Sequence, residues 1–125
     1  MTETPFTVIF YVADVARSCD FYTRVLGRAP VDASANFAMY LLSGGANLGL
    51  WAKHDVAPSI KEPGTGGELA FVLPDKPAVD VLCGRWRELN VKIAQEPTAM
   101  DFGYTFVGLD PDGHRLRAFS LPTGA

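Results

Sequence analysis

Short segments of β-type side chains alternate with stretches of helical spacing along this chain. Residues Phe6–Val12 are rich in β-branched and aromatic side chains, which is typical of a strand. Asp14 then suits a helix N-cap, apolar residues recur at helical spacing from Val15 to Leu26, and Gly27 suits the helix end. The chain is therefore predicted to open with a strand followed by a helix.

Two further strands are predicted in the first half, at Phe37–Leu42 and Ala46–Ala52. The glycine pair between them suits a tight turn, because glycine tolerates positive φ. If Gly44 and Gly45 form a two-residue turn, Tyr40 lies opposite Gly49.

The same order of elements recurs after Lys53–Gly67, a segment rich in Pro and Gly that is interpreted as a linker. The second half is predicted to hold a helix at Pro77–Asn90 and strands at Glu68–Leu73, Val91–Gln95, Phe102–Leu109 and Arg115–Leu121. We expect an α+β fold of two βαβββ modules that form a concave mixed sheet with the helices on its outer face. The modules, at approximately residues 5–55 and 66–122, are expected to make one domain over residues 1–125.

Alternation along the strands sorts their side chains into two faces. One set is wholly apolar, as packing beneath a helix requires. The other mixes aromatic, small, acidic and basic groups, which is typical of a binding site. Combined with the expected pairing of Tyr40 and a shared face for Tyr104 and Phe106, this set predicts the ligand contacts Thr7, Tyr11, Tyr40, Asn47, Gly49, Trp51, Glu68, Tyr104, Phe106 and Arg117.

Composition excludes several classes of partner. The net charge is −3 and no run of Lys or Arg exists, so nucleic acid and anionic membranes are poor partners. No stretch approaches the roughly 18 apolar residues of a membrane span, and no secretory signal is visible, so a cytoplasmic protein is expected. Cys19 and Cys83 fit no metal-binding spacing; buried reduced thiols are expected, with a disulfide or reactive thiol as the alternative.

Two segments carry recognisable motifs, which are Val12–Tyr22 with its continuation to Gly27 and the closing turn Asp110–His114. Both motifs resemble the vicinal-oxygen-chelate superfamily, which includes glyoxalase I, extradiol dioxygenases and bleomycin-resistance proteins. The segments Leu48–Trp51 and Phe102–Phe106 look closest to phenazine antibiotic-resistance proteins. The resemblance covers nearly the whole chain and implies the glyoxalase/bleomycin-resistance-like fold and a homodimer.

Metal-using members of that superfamily resemble one another at four positions, which are Thr7, Gly49, Glu68 and Arg117 here. Glycine offers no ligand atom and arginine repels a cation, so we expect no metal and no cofactor. Glu68 and Arg117 are expected either to form an ion pair or to contact a polar ligand edge. A metal site with relocated ligands would need His54, His114 or loop aspartates, although both histidines are expected to be solvated.

The resulting hypothesis is a metal-free binding protein that sequesters a planar aromatic antibiotic, such as a phenazine, rather than an enzyme. Trp51 is expected to stack on the ligand, although a core or dimer-interface role is open; Trp86 is expected in the core. The alternative is a metal-free isomerase or lyase with Glu68 as general base and Arg117 stabilising an anion. A partner-binding domain without a small ligand is a further reading.

Overall fold

A computed structural model describes residues 6–60 and 67–122. The chain divides into two compact units, residues 1–64 and 65–125. Each unit contains one helix and one four-stranded mixed sheet. The predicted α+β class with helix-backed sheets is therefore confirmed.

The first unit has the strand order β1-β4-β3-β2, in which β1 runs parallel to β4 and the other pairs are antiparallel. Asp14 caps the helix by accepting a hydrogen bond from the Arg17 amide, and Gly27 ends it at φ +70°. Both were predicted. The elements are β1 (Phe6–Val12), α1 (Val15–Leu26), β2 (Asp32–Ala33), β3 (Phe37–Leu41) and β4 (Ala46–Ala52), with short 3-10 turns at Ser43–Gly45 and Lys53–Asp55.

The second unit has the order β5-β8-β7-β6, again with one parallel pair, β5 with β8. Asp75 caps its helix through the Ala78 amide, and Pro77 lies in the first turn, where its missing N–H costs nothing. The elements are β5 (Glu68–Leu73), α2 (Lys76–Glu88), β6 (Lys92–Met100), β7 (Gly103–Leu109) and β8 (Arg115–Ser120).

Each helix covers one apolar sheet face. Beneath α1 lie Ala38, Leu48 and Leu50, all fully buried. In the second unit, α2 itself contributes the indole of Trp86, which is 2% exposed and packs edge-on against two phenylalanines of the sheet. Trp86 is thus a core residue, as predicted. We call the other face of each sheet, turned away from its own helix, the distal face.

The structure differs from the predicted elements at two strands and one turn. The sequence analysis located no strand at Asp32–Ala33, because two exposed residues carry no hydrophobic period. Strand β6 continues to Met100 through Pro97, which an edge strand tolerates, and its pairing shifts register twice. The turn between β3 and β4 has three residues, with Gly44 and Gly45 at positive φ, so the predicted two-residue turn is wrong.

Asp110 organises the turn between β7 and β8. Its Oδ1 accepts hydrogen bonds from the amides of Asp112 and His114, and its Oδ2 lies 2.7 Å from His114 Nδ1. The expectation that His114 is simply solvated is wrong, because its side chain is half-buried against this carboxylate. The hydrogen bond to Asp110 raises the pKa of His114 above its usual value, against the opposing effect of burial.

Both cysteines are free thiols; Cys83 is buried and Cys19 half-buried. Within residues 6–60 and 67–122, neither helix is long and apolar enough to cross a membrane. Part of the predicted linker, residues 61–66, lies outside the described residues.

Gly103 marks the tightest backbone approach in the second sheet. It has φ +143°, and a Cβ there would lie 1.9 Å from the Ser120 carbonyl oxygen. Gly103→Ala is expected to lower the free energy of unfolding by about 2 kcal/mol or more, measured by urea denaturation. Gly113→Ala is the control, since Gly113 also has positive φ but has open space around it, and should cost about 1 kcal/mol. Equal losses in the two variants would contradict the proposed clash.

The His114 pair gives a pH-dependent contribution with a defined sign. Because folding raises the pKa of His114, its stabilisation is fully present below the unfolded value and is lost as pH rises through the folded pKa. Comparing urea denaturation of the wild type and His114→Gln should give a larger difference near about pH 5 than near about pH 9. Asp110→Asn retains the Oδ1 acceptor but removes the charge, and should lower the pKa of His114 followed by NMR. An unchanged pKa in that variant would contradict the assignment.

Candidate functional site

The distal face of the first sheet carries the residues that strand alternation assigned to it. Thr7 is paired with Asn47, and Tyr11 with Trp51, so these four side chains lie on one face. Gly49 lies between them on β4, opposite Ile9. The predicted grouping of these five ligand-contact candidates on one face is therefore confirmed, whereas their contact with a ligand stays a prediction.

Three aromatic side chains form a row across this face, from β1 through β4 to β3. Trp51 is central, with Tyr11 on one side and Phe37 on the other. The ring centroids lie 6.4 Å and 6.3 Å from that of Trp51, and both flanking rings stand nearly perpendicular to the indole, at 81° and 83°. Tyr11 is 44% exposed. We call Tyr11, Trp51 and Phe37 the aromatic row.

The prediction that Tyr40 lies opposite Gly49 is wrong. The three-residue turn pairs Met39 with Gly49 and Tyr40 with Leu48, which turns Tyr40 toward the helix. The Tyr40 hydroxyl donates to the Cys19 carbonyl and lies 2.9 Å from Thr23 Oγ1, and burial raises its pKa to about 12. Tyr40 therefore joins β3 to α1 and does not line the distal face.

The same shift reveals Phe37, which the sequence analysis did not select. A turn one residue longer would have placed Phe37 opposite Trp51, so the missing information was the turn length alone. The space expected above Gly49 is occupied, since a Cβ there would lie 3.0 Å from Phe37 Cζ and 3.3 Å from Ile9 Cγ1.

On the distal face of the second sheet, Arg117 is held by hydrogen bonds at each of its three nitrogens. Its Nε and Nη2 donate to the two carboxylate oxygens of Glu68, at 2.7 Å and 3.1 Å. Its Nη1 donates to Gln95 Oε1 and Thr105 Oγ1, both at 3.2 Å. The sequence left two roles open for Glu68 and Arg117, and the ion pair is the one that this geometry supports.

This arrangement determines the chemistry available to Glu68. The hydrogen bonds from Arg117 lower the pKa of the carboxyl below its usual value, outweighing partial burial. A general base at neutral pH is favoured by a raised carboxyl pKa, so this direction does not favour Glu68 as the base of the alternative enzyme. A carboxylate with both oxygens bound by a guanidinium is a weak base and a poor metal ligand, so Glu68 in this arrangement does not fit a cation.

Two other predicted contacts lie on the helix side of the second sheet. The Tyr104 hydroxyl donates to Asp80 of α2, at 2.7 Å, and the ring of Phe106 packs 5.0 Å from that of Trp86. Their assignment to the ligand face is wrong, because β7 pairs Val107, not Phe106, with Arg117. Phe102, which the site prediction omitted, stacks 5.5 Å from the Arg117 guanidinium instead.

One of the two histidines considered for a relocated metal site lies in a cluster of possible ligands, in the turn between β7 and β8. Asp110, Asp112 and His114 offer ligand atoms within 4.8 Å of one another. The carboxylate of Asp110 and Nδ1 of His114 are, however, already engaged in the turn. His54 lies on the surface, 3.7 Å from Asp55.

The Glu68–Arg117 pair should contribute more than an exposed ion pair. A double-mutant cycle with Glu68→Gln and Arg117→Met is expected to give a coupling of about 1 kcal/mol in urea denaturation. The exposed Asp20–Arg24 pair is the control, with about 0.3–0.5 kcal/mol expected. Because folding lowers the pKa of Glu68, this contribution is present above the unfolded value and lost as pH falls through the folded pKa. Coupling no greater than in the control would contradict the network.

Comparison with known proteins agrees with the fold. The phenazine antibiotic resistance protein EhpR of Enterobacter agglomerans is 31% identical over 123 residues, covering 96% of this chain and 94% of that protein. The solution NMR structure of protein ATC0852 from Agrobacterium tumefaciens is 38% identical and has a TM-score of 0.82, covering 97% of this chain and 99% of that one.

More distant structures share the fold alone. A glyoxalase/bleomycin resistance protein/dioxygenase from Nocardioides is 20% identical with a TM-score of 0.82, covering all of this chain and 87% of the other. The model of the glyoxalase/bleomycin resistance protein/dioxygenase superfamily matches residues 5–118. The chain therefore belongs to this superfamily.

Proposed function

We propose that this protein binds a planar, largely apolar aromatic compound of the phenazine type and confers resistance by sequestering it without metal. The observation that carries the proposal is the aromatic row, which presents a half-buried indole between two perpendicular rings. Such side chains bind flat ligands by stacking and edge contacts, each worth about 0.5–1.5 kcal/mol beyond area burial. The similarity to EhpR supports the choice of phenazines as the first ligands to test.

The chemistry of the second sheet supports binding over catalysis. Arg117 neutralises Glu68 and is itself fixed by Gln95 and Thr105. The guanidinium lowers the pKa of the Glu68 carboxyl, which disfavours a general-base role, and the bidentate pair holds both side chains in a fixed geometry. Thr7 and Gly49, on the other sheet, add no strong metal ligand. We also propose a cytoplasmic homodimer, to be checked by light scattering.

Titration with phenazine should quench tryptophan fluorescence in a saturable way. Trp51 is half-buried, whereas Trp86 is a buried residue of α2, so the quenching should come from Trp51 and disappear in Trp51→Phe. In calorimetry, Trp51→Ala should weaken binding about tenfold or more. Tyr40→Phe is the control: it should cost about 1 kcal/mol of stability and leave affinity unchanged.

Removal of metal ions separates this proposal from a metal-dependent one. Protein treated with EDTA and dialysed is expected to bind phenazine with unchanged affinity. A loss of binding that added divalent cation restores would contradict metal-free binding. Absence of saturable binding by the untreated protein would contradict the proposed function itself.

A further inference from the structure

The ring of Phe37 lies low on the first sheet, with its outer edge over Gly49. A Cβ on Gly49 would lie 3.0 Å from Phe37 Cζ and 3.3 Å from Cε1, tighter than ordinary contact. Gly49 therefore permits this position of the ring by having no side chain. Since its φ is not positive, the glycine is required here for space and not for backbone conformation.

The Phe37 ring extends the aromatic surface along β4, from Trp51 toward Gly49. Trp51 and Gly49 are two residues apart on the same strand face, a distance of roughly 6.7 Å. The indole lies at the Trp51 end of this segment of β4, and the edge of the Phe37 ring lies over Gly49 at the other end. Tyr11 borders Trp51 on the opposite side, toward β1. A flat molecule stacked on Trp51 that extends along β4 would therefore meet the edge of the Phe37 ring.

We propose that Phe37, set in height by Gly49, is a specificity-determining residue that makes the site select three fused rings over fewer. This inference rests on the proposed function and names the ligand class more narrowly. The ring centroids of Trp51 and Phe37 are 6.3 Å apart. Measured between outermost ring atoms, one six-membered ring or two fused rings falls short of that distance, whereas three rings fused in line exceed it. Only the longer ligand gains the edge contact with Phe37 in addition to the stack on Trp51.

Three ligands that share one diazine ring and differ in the number of fused rings test this selection. Phenazine, quinoxaline and pyrazine carry two, one and no benzene rings fused to a diazine. In calorimetric titration, Phe37→Ala is expected to weaken phenazine binding about tenfold and to change quinoxaline binding by less than about twofold. Pyrazine should bind most weakly to every variant.

Leu41→Ala is the matched control. Leu41 lies on the same strand and the same face as Phe37, roughly 13 Å away, and is 49% exposed. Its truncation should change neither affinity. Thermal melts of each variant establish that it folds. If Phe37→Ala does not fold, Phe37→Leu and Gly49→Ala carry the same comparison.

A double-mutant cycle tests the role of Gly49. As a single substitution, Gly49→Ala should push the Phe37 ring outward and weaken phenazine binding. In the Phe37→Ala background it should have no further effect, because the ring that it displaces is gone. Additive effects would overturn the proposed coupling between the two residues.

The outcomes separate the two proposals. Suppose that phenazine binds the wild type. If Phe37→Ala then weakens the binding of phenazine and quinoxaline equally, or changes neither, the selection by ring number is overturned and the proposed function stands. If phenazine does not bind the wild type, the proposed function fails, and this inference fails with it. A preferential loss of phenazine in Phe37→Ala, absent in Leu41→Ala, supports the inference.

Discussion

Each sheet in this protein must bury one face beneath a single helix, and the other features of the two units follow from that requirement. Apolar side chains on one parity of the strands pack under α1 or α2, and burying them provides the main driving force for folding. Because strand residues alternate, the same requirement turns the opposite parity to the distal face. The positions available for binding are therefore selected by the core before any ligand acts on them.

This coupling explains how much of the site the sequence could predict. For strands whose ends were clear from the sequence, the alternation of side chains was enough to predict which residues share a face. Thr7, Tyr11, Asn47 and Trp51 lie together as expected. The register between two strands joined by a turn depends on the turn length as well. Because the turn at Ser43–Gly45 is one residue longer than predicted, Phe37 and Met39 lie on the distal face in place of Tyr40.

The second sheet shows two other limits of sequence reasoning. Tyr104 and Phe106 were correctly predicted to share a face of the sheet. Their aromatic character did not reveal which of the two faces that is, because aromatic residues occur both in cores and in ligand sites. The pairing of Glu68 with Arg117 was one of two readings because it depends on adjacent strands bringing them together. The contribution of Gln95 depended on the register shift between Ile93 and Gln95, which alternation along a strand does not reveal.

The irregular edge of the second sheet has a consequence for the proposed sequestration. Sequestration consumes one protein site for each molecule bound, so a protein that acts in this way must accumulate to the concentration of the compound it neutralises. Crowded chains associate most readily through exposed, regular strand edges. In β6, Pro97 removes a backbone donor and the register shifts break the ladder, so a neighbouring molecule finds no continuous template for adding a strand. The strand that supports Arg117 through Gln95 thus also favours colloidal stability at high abundance.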